Sequence, residues 1–251
     1  MALGDFQTAL GRLVRVPASI DPLHGLALST SERARLTTLV ESAGFRFTVD
    51  VQRSWCVGRA AKAARLTLSI LPPEARQRLL NEWVSAGGGT ASFFAAEAEA
   101  FLDFIAQHLP DPSHALTLCR VEQATLRASE GAYHFVVPHL SQLDTPGGVL
   151  RTGRYATLVR FHAEPHLLLA ALLGEQPLPP LSPDAIPMLF GPGLEGLFRV
   201  ATGEEVALWE RLVVPVALTV LLREGHRRET IEALVLAGGA EYVAWEAEAT
   251  T

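Results

Sequence analysis

The chain has 251 residues, 49% apolar and 19% charged, and 27 acidic against 21 basic side chains give a formal charge of -6. That balance excludes a disordered chain, and the acidic field repels phosphate backbones, so nucleic acid is not an expected partner. Two cysteines, Cys56 and Cys119, are too few for a disulfide framework.

The longest nearly apolar run, Val213 to Leu222, is broken by Pro215 and Thr219 and falls short of the roughly 20 residues a bilayer requires. No membrane span is expected. Nothing at the N-terminus resembles a secretory signal, and the expected setting is the cytoplasm. Every basic residue except Lys62 is an arginine, suited to planar pairing with carboxylates.

Ser31 caps a short helix carrying Leu36, Leu39 and Val40, and Gly44 stops it. Ser54 begins a second helix through Leu68, with small side chains at Cys56, Ala60, Ala63 and Ala64 that let another helix approach closely. Pro72 and Pro73 open a third, buried along Leu79, Leu80, Trp83 and Val84 and ended at Gly87. After Gly87–Gly89, Thr90 or Ser92 caps a helix with Phe94, Ala98, Phe101 and Ile105 on one face. A fifth helix from Ser113 to Ala128 puts Glu122 between Leu118 and Leu126, with Arg120, Gln123 and Arg127 on another face.

The helical period disappears from Gly131 to Gly148, where Pro138, Pro146 and Gly147-Gly148 mark an interdomain connection. Tyr155 to Phe161 then reads as a strand and Pro165 to Gly174 as a helix. Ile186 to Phe190 and Leu194 to Val200 flank Gly191-Pro192-Gly193 as a hairpin. Glu204 to Leu212 fits strand or helix, Pro215 opens a helix ending at Gly225, and a last helix through Leu236 stops at Gly238-Gly239. The expected fold is α+β: a helical N-terminal domain over 1–135, then a smaller C-terminal domain over 136–251 with a short antiparallel sheet and helices.

Site chemistry is sparse, with no catalytic triad or metal cluster in the pattern. His162 and His166 have the i, i+4 spacing of a metal pair, but Pro165 starts the helix after His162, and Glu164 and His139 are the only further donors to suggest themselves. They read as surface histidines. Cys56 and Cys119 lie in no cysteine-enzyme signature and read as core thiols. The glycine run lacks the Gly-Lys-Ser/Thr ending of a phosphate loop and follows a helix. Glu122 on an apolar stripe needs a partner, for which Arg59 or Arg65 is available. The helices around Gly225 have the layout of a helix-turn-helix, but Glu224, Glu229 and Glu232 offset Arg223, Arg227 and Arg228.

Trp55-Cys56 with Arg59, TLSILP over 67–72, GGGTASFF over 87–94 and LTLCRVEQATLR over 116–127 together resemble the accessory-subunit family of methanobactin biosynthesis (MbnC-like). The resemblance covers most of 51–126. The second half is similar only in layout, which it shares with the broader HvfC-like proteins labelled as DNA-binding. It implies a chain that is non-catalytic by itself and is the required second subunit of a heterodimeric, multinuclear non-haem iron oxidase (MbnB-like). That enzyme converts cysteines of a ribosomally made precursor peptide to oxazolone and thioamide groups of a copper chelator. No cofactor is then expected in this chain, the iron belonging to the partner. Trp55, Arg59, Arg120, Glu122 and Gln123 are the residues expected to serve that partner or the core.

Recognition of the precursor's leader is expected at an edge of the C-terminal sheet, where an extended peptide satisfies unpaired backbone groups. Val159 and Phe161 on one strand, and Leu197 and Phe198 on the other, are the candidate contacts. The alternatives are a DNA-binding regulator using the last helices and an independent enzyme using Glu122 or a cysteine.

Overall fold

A computed structural model describes residues 3–15, 23–89, 94–145, 147–174 and 176–244. The protein is α+β, its helices preceding and then interleaving with two three-stranded antiparallel sheets. It divides into compact units of Met1–His108 and Leu109–Thr251. The division thus falls before the fifth expected helix rather than at 135/136. That helix packs against strands of the second unit, so it belongs with them.

In the first unit, α1 (Leu3–Arg15) is followed by α2 (Thr30–Glu41). The cap of α2 is Ser29 rather than Ser31, because Glu32 completes a capping box from three residues on. Ser29 Oγ accepts from Glu32 N–H at 3.3 Å, and the Glu32 carboxylate accepts from Ser29 N–H at 2.8 Å. Ser42 ends α2 and caps α3 (Ala43–Ala63), so Gly44 sits inside a helix that starts well before Ser54. A single turn, α4 (Arg65–Ser69), carries Thr67 and Leu68 into the interior. Helix α5 (Pro73–Ser85) begins at its proline, and Gly87 (φ 88°) follows it. Helix α6 (Phe94–Ala106) buries Ala98, Phe101, Leu102 and Ile105. Both α5 and α6 pack on α3, where the expected small face of Cys56, Ala60 and Ala64 is buried. The proposed caps Thr90 and Ser92 lie outside the described residues.

The second unit opens with α7 (His114–Ala132), capped by Ser113, whose Oγ accepts from Leu116 N–H at 3.1 Å. One sheet contains β1 (Gly148–Thr152), β5 (Val216–Ala217) and β6 (Ala240–Ala244), in the order β5-β1-β6. The other contains β2 (Thr157–Phe161), β3 (Ile186–Phe190) and β4 (Phe198–Val200), in the order β2-β3-β4. Helix α8 (Pro165–Gly174) joins β2 to β3 and keeps its predicted bounds. The ambiguous stretch is helix α9 (Gly203–Arg211), made so by a second capping box between Thr202 and Glu205. Pro215 does not open a helix. It precedes β5, after which α10 (Leu218–Arg223) turns at Gly225 (φ 94°) into α11 (Arg228–Leu236). Leu150, Leu189, Leu208, Leu212, Leu221, Ile231 and Leu234 form one core beneath these elements. Each is 0 or 1% exposed, and each contributes about 1.5–3 kcal/mol by leaving water.

Candidate functional site

The register of the β2-β3-β4 sheet decides which of its groups face outward. Val159 pairs with Met188 and Met188 with Val200, while Phe190 lies between Thr157 and Phe198. Ala201 N–H donates to Pro187 C=O at 2.9 Å and Gly191 N–H to Leu197 C=O at 2.9 Å. In an antiparallel pair hydrogen-bonded positions alternate, so 197, 199 and 201 face β3. The N–H and C=O of Phe198 and Val200 therefore point to the open side of β4. Pro187, in the middle strand, bonds β4 through the carbonyl alone, as a residue lacking an N–H must.

Directly paired residues share a face, which places Val159, Met188 and Val200 in one row and Thr157, Phe190 and Phe198 in the next. Val159, Met188 and Phe190 are buried, and α7 packs against β2 and β3. At β4 the same face leaves the core: Phe198 is 46% and Val200 56% exposed, with the Phe198 ring 5.3 Å from that of Phe190. An apolar surface thus continues past the last strand.

Helix α9 fixes β4 from the opposite face. Arg199 donates to buried Glu205 from Nη1 at 2.8 Å and also from Nη2, while Glu205 accepts from Thr202 N–H at 2.9 Å. The Arg199 guanidinium is the main cause that holds the Glu205 carboxyl below its ordinary value, with the Thr202 bonds adding to it against burial. Arg199 Nη1 also donates to Val200 C=O at 3.1 Å. Among the described residues, Phe198 N–H, Phe198 C=O and Val200 N–H have no other partner.

Of the four residues expected at the edge, Phe198 occupies it. Phe161 (3% exposed) and Val159 (1%) belong to the core, because on this face the residues in the middle of the sheet, Val159, Met188 and Phe190, are covered while β4 at the margin is not. Leu197 precedes the strand, in a 3-10 turn over Glu195–Leu197, with φ of 70°. Val200, expected only as the end of a strand and not as a contact, is the second exposed residue; its period-2 offset from Phe198 was the available signal.

Trp55 lies on the outward side of α3, 66% exposed. Arg59 pairs with Glu97. Its Nη2 lies 3.0 Å from Oε2 of Glu97, a carboxylate only 2% exposed, and donates to Gly89 C=O at 3.4 Å. Gly89 (φ 81°) passes so close to buried Cys56 that a Cβ there would stand 2.3 Å from Sγ. Arg120 pairs with Asp111 at 3.3 Å, and Glu122 and Gln123 are half-buried on α7. Cys119 is wholly buried, and both cysteines are free thiols.

His162 Nδ1 lies 3.2 Å from Ser182 C=O, and His166 Nδ1 3.5 Å from Glu164, so the two rings serve separate partners. In the last helices Arg227 is bonded by Glu204, and Arg228 by Asp144 at 2.8 and 3.0 Å and by Glu232 at 2.7 Å. Those guanidinium groups are neutralised in place. No described helix is long and apolar enough to cross a membrane. No family model and no curated protein matches the chain.

Proposed function

We propose that this protein is the non-catalytic, peptide-holding subunit of a cytoplasmic iron-dependent peptide oxidase, and that the precursor's leader binds as a strand added outside β4. One observation carries the reading: the apolar face of the β2-β3-β4 sheet extends beyond the core at Phe198 and Val200, beside outward-directed backbone groups. An incoming strand would satisfy those groups and lay alternate side chains over the two exposed ones, the mode by which sheet edges recognise extended peptides. The resemblance of the 51–126 region to accessory subunits of methanobactin biosynthesis supplies the substrate class. The iron and its oxygen chemistry belong to the partner subunit, and this chain's residues hold and orient the peptide.

The test is calorimetry with the synthetic leader of a cysteine-containing precursor encoded beside this gene. Val200→Pro removes an outward N–H without touching the β3 ladder, so the fold is retained and affinity falls about tenfold or more, as loss of an edge donor requires. Unchanged affinity in the folded variant overturns the assignment to β4.

A further inference from the structure

Beside the β5-β1-β6 sheet lies a pocket of ≈ 250 Å³, bordered by Phe135, Arg154, Tyr155, Pro192, Ala240 and Tyr242 among others. Its three aromatic walls each rest on a glycine. A Cβ at Gly131 would stand 2.5 Å from that of Tyr155, one at Gly193 would stand 2.7 Å from the Phe135 ring, and one at Gly148 would enter the Tyr242 ring. Close packing of this kind fixes the walls before a ligand arrives.

Strand β6 supplies three consecutive border residues, Ala240, Glu241 and Tyr242, and β1 supplies none, so the pocket follows the free edge of β6. The register agrees. Gly153 N–H donates to Gly239 C=O at 2.8 Å, which by alternation turns 241 and 243 toward β1 and directs the N–H and C=O of Ala240 and Tyr242 to the open side.

Elsewhere in the second unit Arg151, Arg160, Arg199, Arg211 and Arg228 each hold a carboxylate. Arg154 holds none among the described residues: its guanidinium lies 5.0 Å from the centre of the Tyr155 ring, and its N–H fork makes no hydrogen bond. The side chains of His134 and Gln142, also on the border, have no hydrogen-bond partner among the described residues either. The acid on the border, Glu241, is bonded by Arg151 at 2.6 Å and does not compete for Arg154.

We infer that this pocket captures the C-terminal residue of a peptide whose last side chain is aromatic. A guanidinium with a free fork takes a carboxylate in a bidentate pair. The aromatic walls take a ring, and the edge of β6 takes the backbone amide that precedes the carboxylate. A volume below the roughly 300–1,000 Å³ of sites for larger ligands suits a single ring and its carboxylate. The pocket is distinct from the β4 edge, and the inference does not depend on a leader binding there.

Calorimetry of the full chain with N-acetyl-phenylalanine tests it. The expected Kd is about 1 mM or tighter, a range open to a ligand of this size, and N-acetyl-phenylalanine amide, which lacks the carboxylate, binds about tenfold more weakly. 3-Phenylpropionate keeps the ring and the carboxylate but has no backbone amide, and it too binds more weakly than N-acetyl-phenylalanine. Arg154→Gln lowers affinity for the acid about tenfold and leaves that for the amide unchanged. Its melting curve stays that of the wild type, because Arg154 is exposed. No heat of binding up to about 10 mM, or binding indifferent to Arg154→Gln, overturns the inference. Equal affinity for 3-phenylpropionate overturns the peptide terminus and assigns the pocket to free aromatic acids.

Discussion

Replacing Arg199 with methionine keeps most of the side chain's apolar stem and removes the charge that ties β4 to α9. Breaking one side of a buried ion pair costs about 3–5 kcal/mol, because the remaining charge is left without compensation. Two features lower that figure here. The Glu205 carboxylate keeps its 2.9 Å bond from Thr202 N–H, and the Arg199 side chain is 36% exposed, so solvent already screens the pair. We expect a loss of about 2 kcal/mol at pH 7. Its pH dependence follows from the depressed Glu205 pKa, whose unfolded reference is 4.5. A carboxyl group depressed in the folded state contributes stability that is full above the unfolded value and is lost as pH falls through the folded one. The wild-type advantage over Arg199→Met is thus complete at pH 7, begins to decline near pH 4.5 and shrinks further with acid. Urea unfolding followed by circular dichroism at about pH 7 and about pH 3 measures both gaps. A gap of the same size at the two pH values, or one below about 0.5 kcal/mol at pH 7, refutes the argument.

Arg59→Met strands the buried Glu97 carboxylate and should cost about 3 kcal/mol; adding Glu97→Gln should recover part of it, which a double-mutant cycle in urea resolves. Gly89→Ala combines a positive φ with a Cβ 2.3 Å from Cys56 Sγ, and its cost of about 2 kcal/mol should fall, without vanishing, when Cys56→Ala removes the sulfur, because the Cβ of residue 56 still stands 2.6 Å away. Cys56 and Cys119 are 4% and 0% exposed, so a thiol reagent should label neither rapidly in the native protein and both in denaturant; fast native labelling of Cys119 would contradict its burial.

Local punctuation made part of this fold legible. Helices α5 and α8 begin at Pro73 and Pro165, and Gly87 and Gly174 mark their ends in the sequence as in the structure. Strands β2 and β3 showed themselves through short apolar runs bounded by turn residues. Hidden were β1, β5 and β6, because strands of five, two and five residues acquire their meaning from each other. Gly148, a residue that usually weakens a strand, is used in β1 because a Cβ there would stand 1.9 Å from the Tyr242 ring of β6. Which unit α7 joins was hidden for a related reason: it has an ordinary amphipathic pattern, and nothing in that pattern says which strands its apolar side will meet.

The candidate site was legible in kind and less so in detail. Glu122 drew notice because it interrupts an apolar stripe, and Glu97 interrupts another, four residues before Phe101. Only packing distinguishes them: Glu97 is 2% exposed and takes Arg59, while Glu122 is half-buried. Likewise the residues near the hairpin were identified, but which aromatic faces inward follows from strand order. Phe161 and Phe198 lie on the same face, and one is covered while the other is at the margin.

The β4 edge also has a bearing on how the protein behaves when nothing occupies it. Sheet proteins usually protect a terminal strand with a lysine, a proline or a bulge, so that copies do not polymerise strand to strand. In β4 the one charged side chain, Arg199, is turned under the sheet and tied to Glu205, leaving Phe198 and Val200 without a gatekeeper. Overproduced alone, the chain should precipitate or form ladders through this edge, and a lysine at position 200 should keep it in solution while spoiling peptide capture. If β4 holds a peptide as proposed, solubility and recognition are set against each other at a single residue, Val200.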